Sequence, residues 1–377
     1  MALVSAPVNA LVGLGSIRPM KGLRIVFTSK EQAGLESFDV PPVGPGEVRI
    51  RTEVSLISIG TESTCYLRRF APGTHFDRWV QYPFYPGYSL VGRVEEAGPG
   101  CPATHAPGAL VATSKPHASH VVCSWGDATP VEPAIPADLA AWFALAQITF
   151  NGVRKAGIGL SDRVALVGAG PVGQMVLRWV LASGAWEVAV VDLSQERLEL
   201  ARRAGATHLL RVSAADAVAE MERVFSAGTA AQAPKGAATD PAPPQSASDP
   251  RPDVAIDATG SAAVFGPILA MPRTGGKVLL MGDPGNPDDQ HLTPDLLTRS
   301  LTVVGAHFMT RFPDRTWPDI HRVFFRMVQD GRIRMDGMTT RTLDPREPQA
   351  AYRLAVDERD RVMGLIFDWS GVRGDDF

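Results

Sequence analysis

VALVGAGPVGQMV (residues 164–176) sets a continuous apolar run against three glycines, Gly168, Gly170 and Gly173, spaced G-x-G-x-x-G. Alone, that spacing is weak evidence. Here it follows the strand-like RVALVG and opens a helical pattern, and Asp192 ends the next apolar run, EVAVVD, 19 residues beyond Gly173. Strand, glycine turn, helix, strand and acid in that order predict a dinucleotide-binding βαβ unit. Gly168 permits the tight turn, Gly170 lets backbone N–H groups approach a pyrophosphate, and Gly173 allows the helix to pack close on the strand. The helix N-terminus adds partial positive charge toward the phosphates. Asp192 can accept from both hydroxyls of an adenine ribose and would repel a 2′-phosphate, so NAD(H) is expected over NADP(H). Arg197, in SQERLELARRAG, reads as part of the solvated face of the next helix.

Outward from this unit the text divides. On the far side the alternation of strand and helix resumes at DVAIDATG, GKVLLMG and LTVVGAHF, which predicts one parallel sheet. Residues 226–252, almost wholly Ala, Pro, Ser, Thr, Gly, Asp and Gln, interrupt it. That composition cannot bury enough apolar surface to offset its ordering entropy, so a disordered surface insertion is expected. Before the unit, from Lys21 to about Phe150, short β-branched runs are punctuated by Gly and Pro, as in PPVGPGE and GPGCP. This predicts a barrel-like β domain. Residues 1–20 lack a basic segment ahead of their apolar run and are broken by Pro7, Asn9, Gly13 and Gly15. They make neither a signal peptide nor a membrane span, and a disordered leader is expected.

The chain has 377 residues, 45% of them apolar, which is enough for two domains. Its 37 basic and 40 acidic side chains give a net charge of −3, well mixed. No basic stripe suggests nucleic acid, and a small-molecule substrate fits better. Three cysteines, Cys65, Cys101 and Cys123, cannot all pair, and they read as reduced thiols of a cytoplasmic protein.

From Lys21 to Trp369 the chain resembles the medium-chain dehydrogenase/reductase superfamily. The resemblance is carried by GEVRIRTEVSLISIGTE, YPFYPGYSLVGRVEEAG, RVALVGAGPVGQMV, VVDLSQERLELARRAGATHLL, DVAIDATG, GGKVLLMG and LTVVGAHF, in that order. It implies an α/β fold. A GroES-like β-barrel domain would be built from residues 21–150 and 311–377, with a Rossmann doubly wound parallel-sheet domain, 151–310, inserted between. The active site would lie in the cleft between them. The same resemblance adds Pro171, Val172, Leu193, Thr259, Gly260, Gly282 and His307 to the cofactor-binding set, His307 beside the nicotinamide. It also implies a homodimer or homotetramer.

The family's catalytic zinc is held by a cysteine before Gly-Thr-acid, a histidine in PGHE, and a cysteine, aspartate or glutamate in the helix before the Rossmann domain. Those positions read here as Ile59, Tyr88 followed by Ser89, and approximately Gln147. None is a usual zinc ligand, and the four-cysteine lobe of the structural zinc is absent. The resemblance therefore points to a zinc-independent branch, nearest the group resembling bacteriochlorophyllide hydroxyethyl dehydrogenases. Without a metal, hydrogen-bond donors must stabilise developing alkoxide. Thr61 aligns with the family's proton-relay hydroxyl and Tyr88 stands in place of a ligand histidine, so these two are the catalytic candidates. Glu62 is expected to be a structural partner. Between residues 66 and 88 aromatics interleave with Arg68, Arg69, His75 and Arg78, as either a wall for a bulky or aromatic substrate or loop packing.

The leading expectation is a zinc-independent NAD(H)-dependent oxidoreductase for an alcohol/ketone pair. Two readings stay open beside it: reduction of an activated C=C bond, and a non-catalytic NAD(H)-binding sensor.

Overall fold

Two hydrophobic periods generate the two large sheets. Residues 20–230 and 249–372 are described by the computed structural model. The chain opens on the antiparallel hairpin of β1 (Lys21–Ser29) and β2 (Gln32–Asp39). Strands β3 (Glu47–Ile57), β4 (Leu90–Ala97), β5 (Leu110–Thr113), β6 (His120–Ser124) and β7 (Ala128–Pro130) follow. Helices α1 (Ile59–Leu67) and α2 (His75–Trp79) lie between β3 and β4, and α3 (Ala137–Ala140) and α4 (Phe143–Ala156) come after β7.

The second sheet alternates strictly. Its elements are β8 (Arg163–Val167), α5 (Pro171–Ala182), β9 (Glu187–Val191), α6 (Gln195–Ala204), β10 (His208–Leu210), α7 (Ala214–Ala230), β11 (Val254–Asp257), α8 (Ala262–Leu269), β12 (Lys277–Leu280), α9 (Asp295–Thr298) and β13 (Thr302–Gly305). The chain then passes through α10 (Trp317–Gln329), β14 (Arg341–Leu343), α11 (Pro348–Asp357) and β15 (Leu365–Asp368).

The parallel sheet has the order β10-β9-β8-β11-β12-β13. Strand order reverses between β8 and β11, so a crevice opens at their carboxyl ends, where dinucleotides bind in such sheets. Every residue of β8 and β9 is buried. Helices cover both faces, which is why these strands are unbroken apolar runs rather than alternating ones. One core, with Leu166, Val176 and Phe324, lies on the α4 and α5 side, and a second, with Phe225 and Ile268, lies under α7 and α8.

The other sheet runs β14-β15-β3-β4-β5-β7, with β6 also pairing β3. Its late strand β15 pairs antiparallel with β3, Leu365 opposite Ile57, so residues far apart in sequence close one domain. This is the alcohol dehydrogenase-like arrangement of a Rossmann domain joined to a GroES-like one.

Two expected boundaries shift. Helix α4 runs unbroken through the junction placed at 150/151, because its buried face packs on α5 and α10 throughout. The insertion was expected from residue 226, but residues 226–230 belong to α7, whose apolar face includes Met221, Val224 and Phe225. On the far side, Arg251 pairs with Asp249 and Glu222. The remainder of the expected insertion, 231–248, and the expected leader, 1–19, lie outside the described residues. Among the described residues no helix is long and apolar enough to cross a membrane.

Candidate active site

The glycine turn has the geometry its spacing demanded. Gly168 follows β8 with φ +93°, and a Cβ on Gly173 would lie 1.8 Å from the Gly168 carbonyl oxygen. Helix α5 starts from Gly170 without a side-chain cap and with Pro171 in its first turn, so the N–H groups of its first turn, Val172 and Gly173 among them, face the crevice unclaimed by any capping side chain. Asp192 braces the turn: Oδ2 accepts from Ala169 N at 2.7 Å and Oδ1 from Ser194 N at 2.8 Å. Each oxygen keeps a second lone pair for a ligand. Leu193 beside it is 69% exposed. Across the crevice Thr259 lies against Gly168, and the Gly260 and Gly282 backbones touch each other. Asp257, which sequence reading passed over, shapes this second turn: its Oδ1 accepts from Thr259 N (2.7 Å), Thr259 Oγ1 (2.6 Å) and Gly260 N (3.2 Å). Burial pushes its pKa up against those bonds.

Arg197 departs from expectation. It is not merely a solvated face of α6. Its side chain turns back so that Nη1 stands 3.7 Å from where a Gly170 Cβ would be, Nη2 donates to the Arg359 carbonyl, and Nε is buried without a partner. Arg359 itself has its pKa lowered, first by burial and then by the charges of Arg197 and Arg69. The crevice is thus rimmed by cations, as a diphosphate ligand would require. Position in the first turn of α6 was the available signal, since that turn starts directly after Asp192.

The opposite wall is built by the α1 N-terminus and the 86–89 segment. Tyr88 Oη donates to Ser58 Oγ at 2.5 Å and stands 3.5 Å from Thr61 Oγ1, so the two catalytic candidates, 27 residues apart, meet at one point. Burial pushes the Tyr88 phenol up to about 12, partly opposed by its bonds to Ser58 and Thr61. Glu62 turns away from this point into the interior, where it is 1% exposed.

The positions compared with zinc ligands are otherwise engaged. Ile59 packs in an apolar cluster with Tyr66 and Val80. Gln147 accepts from His321 Nε2 at 2.7 Å and donates to the Phe308 carbonyl at 3.4 Å, which Asn151 also reaches. Among the described residues no three His, Cys, Asp or Glu side chains stand together as a candidate metal-ligand set.

Contacts bridge the cleft. His75 Nε2 meets Asp283 Oδ2 at 2.9 Å, and Ala71 N donates to the Gly285 carbonyl at 2.9 Å. His307 is exposed at this mouth, its ring 6.2 Å from that of His75 and tilted against Phe308, with ring centroids 4.7 Å apart. Most of the aromatic run is consumed in packing: Tyr66, Phe76 and Phe84 are core residues, and Arg24 lies 3.9 Å over the ring of Tyr85. Trp79 and Phe308 remain 48% and 44% exposed.

Residues 171–326 match the zinc-binding dehydrogenase family. The L-threonine 3-dehydrogenase of Anaeromyxobacter sp. (strain K) is 26% identical over 93% of this chain and 100% of its own length. The chain is similar to medium-chain, zinc-type alcohol dehydrogenase-like oxidoreductases. The zinc-type alcohol dehydrogenase-like protein YdjJ of Escherichia coli (strain K12) is 24% identical over 59% of this chain, and the match spans about half, 55%, of that relative's length. Acetophenone reductase from Geotrichum candidum, solved in complex with NAD, shares the fold with a TM-score of 0.68 at 17% identity, covering 95% of this chain and 99% of its own. Other solved structures of the same fold were bound to NADP or NADH.

Proposed function

We propose that the protein is a zinc-independent, NAD(H)-linked oxidoreductase that interconverts an alcohol and a ketone. The observation that carries this reading is the meeting of Tyr88, Ser58 and Thr61 at the position that the family resemblance gives to a metal ligand, with no cluster of three His, Cys, Asp or Glu among the described residues. The nicotinamide, when bound, supplies or takes the hydride. The uncapped turn at Gly170–Gly173 and the Arg197 guanidinium suit its pyrophosphate, and Asp192 suits the adenine ribose. Thr61 donates to the substrate oxygen, and Tyr88 redirects to that oxygen the one proton it gives Ser58 in the structure, as negative charge develops. A phenol raised to about 12 keeps its proton at ordinary pH, so it acts as a donor.

That same weak acidity suits an enolate, so reduction of an activated C=C bond is the second reading. The half-exposed Trp79 and Phe308 at the cleft mouth fit a bulky or aromatic substrate. The reading includes a cytoplasmic homodimer or homotetramer, for which the outer edge of β13, with Val303 37% exposed, offers a pairing surface.

Thr61→Val and Tyr88→Phe keep shape and remove the hydroxyl. A fall in kcat of about 10²–10³ for at least one, with NADH affinity nearly unchanged, is expected. A panel of ketones, enones and quinones assigns the acceptor. NADH binding without turnover on any member would establish the sensor instead. About one zinc per chain, with turnover lost to chelators, would overturn the metal-free reading.

A further inference from the structure

Behind the two hydroxyls lies a buried polar chain that the chemistry above does not use. His117 is 0% exposed. Its Nε2 meets Glu62 Oε2 at 3.0 Å and its Nδ1 meets Ser55 Oγ at 2.7 Å. Glu62 accepts two further bonds: Oε1 from Ser58 N at 2.8 Å, and Oε2 from Tyr352 Oη at 2.6 Å. Trp369 Nε1 donates to Ser55 Oγ at 2.9 Å. An indole N–H can only donate, so the Ser55 hydroxyl has its own proton left for His117 Nδ1, and the imidazole then donates from Nε2 to the carboxylate.

Carboxylate, imidazole and serine stand here in the order of a hydrolase triad. Ser55 is 0% exposed and its oxygen is already taken by the indole, so no nucleophile is presented. The network must act through what it touches, and it touches both arms of the site. Through Glu62, the residue after Thr61, it grips the α1 N-cap at Ser58. Through its backbone it donates to the Pro86 carbonyl at 2.9 Å. Its ring lies flush against Gly87, where an added Cβ would come within 2.7 Å of His117 Cγ and Cδ2, with φ at +99°. The next residue is Tyr88.

We propose that His117 is a positioning residue that sets the Tyr88 phenol and the Thr61 hydroxyl in register with each other. The proposal rests on the catalytic reading of Tyr88 and Thr61. A donor must be held closely to the position of the developing charge, and a shift of about 1 Å can cost up to 10²-fold in rate. The imidazole supplies that precision because it is fixed on both nitrogens and packed on both sides, against Gly87 and, edge-on, against the Phe367 ring at 5.2 Å.

The test is a double-mutant cycle of His117→Gln with Tyr88→Phe, reading kcat, the NADH dissociation constant and the melting temperature. His117→Gln should lower kcat by about 10- to 100-fold while NADH affinity stays nearly the same. Combined with Tyr88→Phe it should lower kcat little beyond Tyr88→Phe alone, because the displaced group is already gone. Should His117→Gln not fold, Glu62→Gln is read in the same cycle, since it keeps volume and removes the charge that holds the imidazole. Wild-type kcat in the folded variant, or losses that multiply, would overturn the proposal. If Tyr88→Phe and Thr61→Val both keep wild-type turnover, the catalytic reading has failed first. If they fall and His117→Gln does not, only the positioning role has failed.

Discussion

Asp192 braces the Gly168–Gly170 turn and, in the proposed function, also receives the adenine ribose. Because its oxygens already take Ala169 N and Ser194 N, the carboxylate is fixed before any ribose arrives. Asp192→Asn should weaken NADH binding by about tenfold or more, the scale of losing a charged acceptor. The same change should tighten NADPH, since repulsion of the 2′-phosphate is removed. Fluorescence titration of both cofactors checks this, and tighter NADPH binding by the wild-type protein would refute the preference. At this scale the sequence was readable where spacing is local. Gly168, Gly170, Gly173 and Asp192 lie within one βαβ unit. The approach of Tyr88 to Thr61 needed the family resemblance, because two hydroxyls separated by a helix and a loop leave no periodic trace. His117 left no signal at all: a lone histidine in SKPHASH, with its partners Ser55 and Glu62, and the Tyr352 that also bonds Glu62, scattered along the chain.

Helix α4 is the element that ties the two domains. Gln147, compared above with a metal ligand, instead spends its amide on a clamp. His321 of α10 donates to it, Thr129 of β7 meets the other imidazole nitrogen at 2.9 Å, and the Phe308 carbonyl is held below. Burial, with the nearby Arg322 charge, depresses His321 to about 3. The ring is therefore neutral when folded, while the unfolded chain takes up a proton near pH 6.5. Stability should be level above that pH and fall as pH drops from about 6.5 toward 3, by at most about 1.4 kcal/mol per pH unit from this group. Urea unfolding at several pH values measures the slope. His321→Gln should flatten it, and an unchanged slope would show that other groups dominate. Helix periodicity revealed α4, but the direction of one amide within it depends on α10, some 170 residues away, and periodicity is blind to that.

Over the whole molecule, the cleft mouth is bridged by exposed polar contacts, while behind it one apolar core runs from Leu56 and Val91 through α4 to Leu166 and Val176. The His75–Asp283 pair is half exposed on both sides, so it contributes little to stability. It does bridge the mouth beside His307. Asp283→Asn should leave the melting temperature nearly unchanged yet speed NADH release several-fold in stopped-flow measurements. Equal release rates would mean that the mouth opens elsewhere. The architecture at this scale was legible because each domain has its own hydrophobic period, alternating in one and continuous in the other. What could not be read was how far core aromatics such as Phe76 and Phe84 would be drawn from the cleft into packing, since an aromatic run fits a binding wall and an interior equally well.

The pairing of β15 with β3 has a consequence for how the protein is made. Val54–Ile57, which lead straight into Ser58 and Thr61, wait for Leu365–Asp368, and roughly 300 residues separate Ile57 from Leu365. At a ribosomal pace of about 10 residues per second, that strand edge stays unpaired for about half a minute while the parallel sheet finishes behind it. An open edge for that long is a template for unwanted pairing with other nascent chains. Ser55, half of whose anchoring comes from Trp369, cannot settle until the same late segment docks. The hydroxyls proposed as catalytic are thus translated well before the late segment that their strand waits for.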